Sequence, residues 1–201
     1  TGYSGEHLEQ LLSVGDSVTF DMPFRTMAGG YVTSPSLDDR CGMAAILCAM
    51  EELQGQALPC SLSVLFSTQE ELGERGAKIG AYTIAPDIAL AVDVTFGDAG
   101  EKVGVCGKGP LIGISPSLSR EVSDALIAAA DAAQIPWQPE VMAGTTGTNA
   151  DRFAVTRGGV RAGTVSIPLC HMHTPVEKIR TEDVALTGKL LAAYVRGCAS
   201  C

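Results

Sequence analysis

Glu70 and Glu71 stand side by side where an apolar run, Ser61 to Thr68, gives way to a glycine-rich segment. Asp38 and Asp39 form a second adjacent acid pair just ahead of a helical pattern, and Asp93 lies inside the otherwise apolar Ala91-Val92-Asp93-Val94-Thr95. A further apolar run is followed by His171-Met172-His173-Thr174-Pro175. Taken singly, most of these have ordinary explanations. Asp-Asp before a helix serves as an N-cap with a dipole-favoured acid, Glu-Glu after a strand suits a solvated loop, and His-x-His is often structural. Asp93 is harder to explain that way, because a buried acid must be paired or ligate a metal.

Together the residues suit divalent-metal hydrolysis. Two ions about 3.5–4 Å apart can clamp a water and polarise a peptide carbonyl. Such a centre needs a carboxylate shared between the ions, and histidine or acid ligands for each. It also needs a carboxylate that is not a ligand, to take the proton from the attacking water. Glu70 and Glu71 offer two adjacent carboxylates for the ligand and base roles.

The elements that must position these groups follow from periodicity. Ser17 to Asp21 and Tyr31 to Thr33 read as short strands, the second after Gly29-Gly30. Asp38 to Leu53 carries apolar residues at helical spacing. Ser61–Thr68 and Asp87–Thr95 are continuous apolar runs suited to strands buried on both faces. The segment with Gly73, Gly76 and Gly80 between them reads as a loop and a short helix. Further on come a helix over Ser119–Gln134, a strand near Trp137–Met142, a short helix over Asn149–Thr156 and a strand over Arg161–Ile167. A last helix begins at Thr181-Glu182-Asp183, with a threonine N-cap and acids in the first turn, and runs to about Arg196. Buried strands alternating with helices predict an α/β fold with a mixed, largely parallel sheet and helices on both faces. Ligands of such sheets gather outside the carboxyl ends of the strands, which is where the acids and histidines fall.

Composition narrows the function. The chain has 201 residues, 46% hydrophobic and 18% charged, which is globular. Fourteen basic residues against 23 acidic ones give a charge of −9, which disfavours a nucleic-acid partner. No apolar run approaches the roughly 20 residues that span a bilayer, so no membrane-integral role is expected. Seven cysteines without paired zinc-finger spacing fit a reducing, cytoplasmic compartment, and the terminal Cys198-Ala199-Ser200-Cys201 reads as incidental. Gly107-Lys108-Gly109-Pro110 lacks the spacing of a phosphate loop and reads as a turn beside the metal site. A glycoside hydrolase is the alternative use of a carboxylate pair. It needs carboxyls flanking a sugar cleft and no histidine ligand, and it usually needs aromatic platforms. One Trp, four Tyr and five Phe are few for that purpose. A non-catalytic interaction fragment is the third reading.

The order of motifs carries a resemblance. Ser36-Leu37-Asp38-Asp39-Arg40-Cys41-Gly42, Ser67-Thr68-Gln69-Glu70-Glu71-Leu72-Gly73, Val92-Asp93-Val94-Thr95, Gly107-Lys108-Gly109-Pro110, Gly147-Thr148-Asn149-Ala150 and His173-Thr174-Pro175-Val176-Glu177 follow one another along the chain. From about Gly2 to about Val195 the sequence resembles the dinuclear-metal aminopeptidases. That family includes the bacterial glutamyl aminopeptidases and the self-compartmentalising tetrahedral aminopeptidases, and some of its members carry the label cellulase or endoglucanase.

The resemblance implies a metal-dependent aminopeptidase with two divalent ions (zinc, cobalt or manganese) per complete subunit. Its substrates would be peptides, and it would be a homo-oligomer built from dimers, up to a dodecamer. It implies that Asp38 bridges the ions, that Glu70 is the general base, and that Glu71 and His173 ligate one ion while Asp93 ligates the other. Asp39 would orient the turn rather than bind metal. His171, where tyrosine is common, would line the wall, and Cys170 stands where arginine is common. In related sites the bridging acid is followed by a cis peptide, which here would be Asp38–Asp39. The family's pattern also has a histidine ligand in a His-x-Asp segment upstream of the bridging acid. His7 is followed by Leu8-Glu9 and does not supply it. The implied organisation is the carboxyl-terminal portion of a longer enzyme, with residues 1–33 the tail of an inserted β domain and residues 34–201 the catalytic domain without its first strands.

Overall fold

The structure, a computed structural model, describes residues 2–97 and 103–198, so part of the Cys198–Cys201 motif lies outside the described residues. Its centre is a strand, β6 (Arg161–Cys170), that is buried from Ala162 onward. One edge of β6 runs parallel to β3 (Ile88–Phe96) in register from Ile88↔Arg161 to Phe96↔Leu169. Its other edge is shared by two antiparallel neighbours: β4 (Leu111–Ile114) at Val165 and Ser166, and β7 (Glu177–Arg180) at Leu169 and Cys170. The sheet continues from β4 to parallel β5 (Gln138–Val141). From β7 it continues to antiparallel β2 (Tyr31–Ser34) and β1 (Arg25–Thr26). The sheet is mixed, as expected, with β3–β6 and β4–β5 parallel and the other four pairings among the described residues antiparallel.

Strand period two sorts the core onto two faces. Val92 and Val94 of β3 and Val165 and Ile167 of β6 pack with α2 (Leu37–Leu53), α4 (Arg120–Ala132) and α6 (Thr181–Gly197). Ala91 and Ala162 face the other way, against α3 (Arg75–Ile84) and α5 (Ala150–Ala154). Each fully buried aliphatic side chain of this kind contributes about 1.5–3 kcal/mol, so the two layers clamp β3 and β6 and fix their carboxyl ends at one edge.

The predicted strand Ser61–Thr68 does not form. Among the described residues it joins no ladder, and Leu62, Val64 and Phe66 are 45%, 38% and 44% exposed rather than buried on both faces. The segment has the apolar composition of a strand, but a strand needs a neighbour to satisfy its backbone groups, and no strand among the described residues is hydrogen-bonded to it. Between this segment and the start of β3 runs a groove of about 1180 Å³ with α2, α4 and α6 along its floor. Ser17–Asp21 fails for the same reason; Val18 and Phe20 are exposed and unpaired with any strand. A short helix, α1 (Gly5–Leu11), precedes it, and β2 pairs with β7, so the main sheet takes up residues on both sides of position 33. Thr181 is not the N-cap of α6. Arg180 holds that place without a side-chain cap bond, and the Thr181 hydroxyl donates to Gly30 O at 3.1 Å.

Candidate metal centre

The acids and the histidine reach one place from four backbone segments. Asp38 and Asp39 open α2 in non-helical conformations, and the peptide between them is cis, as expected. Glu70 and Glu71 lie on a 3₁₀ turn, Glu70–Leu72, between two residues held at positive φ, Gln69 (56°) and Glu74 (52°). Gly76 makes that turn possible, because its N–H donates to Thr68 O at 2.9 Å and a Cβ there would come within 2.6 Å of Thr68 O. Asp93 projects from β3, and His173 sits at φ 60° in the loop joining β6 to β7.

Three of the predicted ligands converge. His173 Nε2 lies 3.0 Å from Asp38 Oδ2 and 3.3 Å from Glu71 Oε2, and one donor atom from each of the three falls within 4.8 Å of the others. One imidazole nitrogen and two carboxylate oxygens are a donor set that fits zinc, cobalt or manganese. Asp93 is not part of this triplet. It is 8% exposed, and its Oδ1 accepts the Val94 N–H at 2.8 Å. Asp39 accepts the Gly42 N–H at 3.0 Å, securing the first turn of α2. His171 lies exposed in the same loop as His173 at φ 61°. Cys170 ends β6 with its Sγ 3.6 Å from that of Cys106.

The electrostatics are those of crowded acids. Burial, then Glu71, pushes Asp38 up to about 6, against the pull of His173. Burial, then Asp93, pushes Asp39 up to about 9. Asp93 rises to about 8 through burial, opposed by its hydrogen bond from Val94 and assisted by Glu70. Burial and the Glu71 carboxylate raise Glu70 as well. Several carboxyls that resist ionisation side by side mark a place where a cation would relieve the repulsion.

Other contacts were not readable from the sequence. Glu177 accepts backbone N–H groups from both Asp38 and His173. Asn149 Nδ2 donates to Ser67 Oγ at 3.1 Å, and its buried Oδ1 has no hydrogen-bond partner. Arg152 Nε pairs with Glu74 Oε2 at 2.7 Å, tying α5 to the far end of the Glu70–Glu71 turn. The Gly107–Pro110 turn is held by buried Asp183, which accepts from Gly107 N at 2.6 Å and Gly109 N at 2.9 Å. The motifs containing Asn149 and Glu177 were visible as strings, but their roles depend on partners far away in the chain.

Comparison with known proteins bears on this geometry. The chain is 32% identical to a lysyl aminopeptidase of Pyrococcus furiosus, over 96% of this chain and 56% of that one. Its fold superposes on an aminopeptidase from the archaeon Desulfurococcus kamchatkensis with a TM-score of 0.85 and 32% identity, covering 98% of this chain and 58% of the other. It also matches the TET1 peptidase of Pyrococcus horikoshii (TM-score 0.80, 28% identity, 96% and 58% covered), a protein that can assemble into a tetrahedron or a large octahedral shell. The chain thus spans somewhat over half the length of these relatives. Over residues 2–190 the sequence matches the M42 glutamyl aminopeptidase family, and the chain belongs to that family.

Proposed function

We propose that this chain carries most of the active site of a metal-dependent aminopeptidase, which releases amino-terminal residues from peptides. The observation that supports this most strongly is the approach of His173 Nε2 to both Asp38 and Glu71, with Glu70 adjacent. Asp38, Glu71 and His173 would hold one divalent ion, and Asp38 with Asp93 would contribute to a second. Zinc, cobalt and manganese all suit these donors. Ions bound there would supply Lewis acidity toward a peptide carbonyl.

The chain's own residues do the rest. Glu70 takes the proton of the attacking water and returns it to the leaving amine. Burial, then the Glu71 charge, raises the Glu70 pKa, the direction that strengthens a carboxylate as a base. Asp39 holds the turn that presents Asp38. Residues 1–33 are proposed as the tail of a smaller β unit whose last strands continue into the main sheet, and residues 34–201 as the catalytic portion. Cysteine usage favours a cytoplasmic place, and among the described residues no helix is long and apolar enough to cross a membrane. A dimer-based homo-oligomer, up to a dodecamer, is proposed by analogy with the assembling relative.

The glycoside hydrolase alternative requires two carboxyls facing each other across a sugar cleft; an imidazole wedged between Asp38 and Glu71 is at odds with that arrangement. The test is chelation. In the full-length enzyme, EDTA should abolish hydrolysis of aminoacyl p-nitroanilides, and zinc, cobalt or manganese should restore it. Activity that persists in the chelator would overturn the reading.

A further inference from the structure

Glu177 is the first residue of β7 and is 2% exposed. The β2–β7 ladder places it opposite Ser34, just ahead of the turn that leads into Asp38. On its other side the β6–β7 connection carries His173. The residue therefore stands where both ligand-bearing loops leave the sheet. Its side chain uses both oxygens. Oε2 accepts the Asp38 N–H at 3.1 Å across 139 positions of chain, and Oε1 accepts the His173 N–H at 2.9 Å.

We infer that Glu177 is a positioning residue for the metal centre, a carboxylate clamp that sets the spacing between Asp38 and His173 before any ion arrives. This rests on the metallo-aminopeptidase reading above. Only an ionised carboxylate offers two acceptor oxygens and no donor. The two amides it binds belong to residues whose side chains meet 3.0 Å apart. His173 has a positive φ of 60°, which a non-glycine residue adopts only when held there. The N–H that Glu177 accepts is the one that loop conformation turns toward β7. Partners behind metal ligands usually orient a side-chain nitrogen or oxygen. Here the same job is done through the backbone, on two ligands at once.

Glu177→Gln tests this, because the amide retains the volume but presents one acceptor and one donor, so that one of the two N–H groups loses its partner. Zinc affinity, measured by competition with a chromophoric chelator, should weaken about 10–100-fold, and the visible spectrum of the cobalt-loaded protein should change. The melting temperature of the metal-free variant should fall only by the few degrees that one lost hydrogen bond costs. Unchanged zinc affinity and cobalt spectrum, or a loss confined to metal-free stability, would overturn the proposal. A second measurement needs no variant. In the metal-free wild-type protein the Asp38 and His173 amides should exchange slowly with solvent deuterium, and fast exchange at both would show that the clamp does not exist before binding. If the wild type binds neither zinc nor cobalt, the aminopeptidase reading fails, while the exchange experiment still decides whether Glu177 holds the two loops.

Discussion

His173 Nε2 sits 3.0 Å from Asp38 Oδ2, although one residue opens α2 and the other lies in the loop that follows β6. The contact depends on the β2–β7–β6 ladders, which bring the two ends together. His173→Ala should therefore leave the sheet intact while removing the only nitrogen donor of the triplet. Zinc affinity is expected to fall by more than the 10–100-fold that loss of an outer-sphere partner costs. Equilibrium dialysis with elemental analysis measures it.

Glu70 and Glu71 can be told apart by their amides. In the full-length enzyme, Glu70→Gln should keep its metal and lose about 10²–10⁴-fold in catalytic rate, the usual share of a general base. Glu71→Gln should instead lose metal. Metal loss from Glu70→Gln, with retention in Glu71→Gln, would reverse the two assignments.

Metal-free protein should become less stable as the pH rises. Asp38, Asp39 and Asp93 have ordinary values of 3.8, raised in the folded chain to about 6, 9 and 8. Between 3.8 and those values the folded state holds protons that the unfolded state has released, so unfolding free energy falls with pH across that window. Calorimetry in EDTA should show a lower melting temperature at pH 8 than at pH 5.5. Saturating zinc, which favours the ionised carboxylates, should reduce or invert the trend. A metal-free melting temperature that climbs over this range would contradict the crowding of the three acids.

A polypeptide of these 201 residues should bind one metal equivalent tightly. Asp38, Glu71 and His173 would serve one ion, whereas the second would retain only the proposed Asp38 and Asp93, and two carboxylates make a weak transition-metal site. Such a chain is expected to be essentially inactive. Two tightly bound equivalents accompanied by peptidase activity would mean that a further residue completes the centre.

Gly76→Ala should be costly despite being a one-carbon change. The new Cβ would lie 2.5 Å from Thr68 N and 2.6 Å from Thr68 O, both backbone atoms that cannot swing aside. Overpacking of this sort costs about 1–3 kcal/mol. Relief by moving Thr68 would displace Glu70 and Glu71, so metal affinity should drop together with the melting temperature.

Local pattern was enough to read α4, β3, β6 and α6, because their apolar period is long and their burial follows from it. The same holds for the motifs carrying Asp38, Glu70, Glu71, Asp93 and His173, since residue type and order survive without coordinates. Tertiary structure decided what depends on partners distant in the chain. Glu177-Lys178-Ile179-Arg180 is too short and too charged to announce a strand, yet it becomes β7 between β2 and β6. Ser61–Thr68 announces a strand and forms none, for want of a hydrogen-bonded neighbour. Asp38 and His173 meet, with Asp93 outside their triplet, because side-chain direction is set by loop backbone and sheet register, and both arise from pairings that no local window contains.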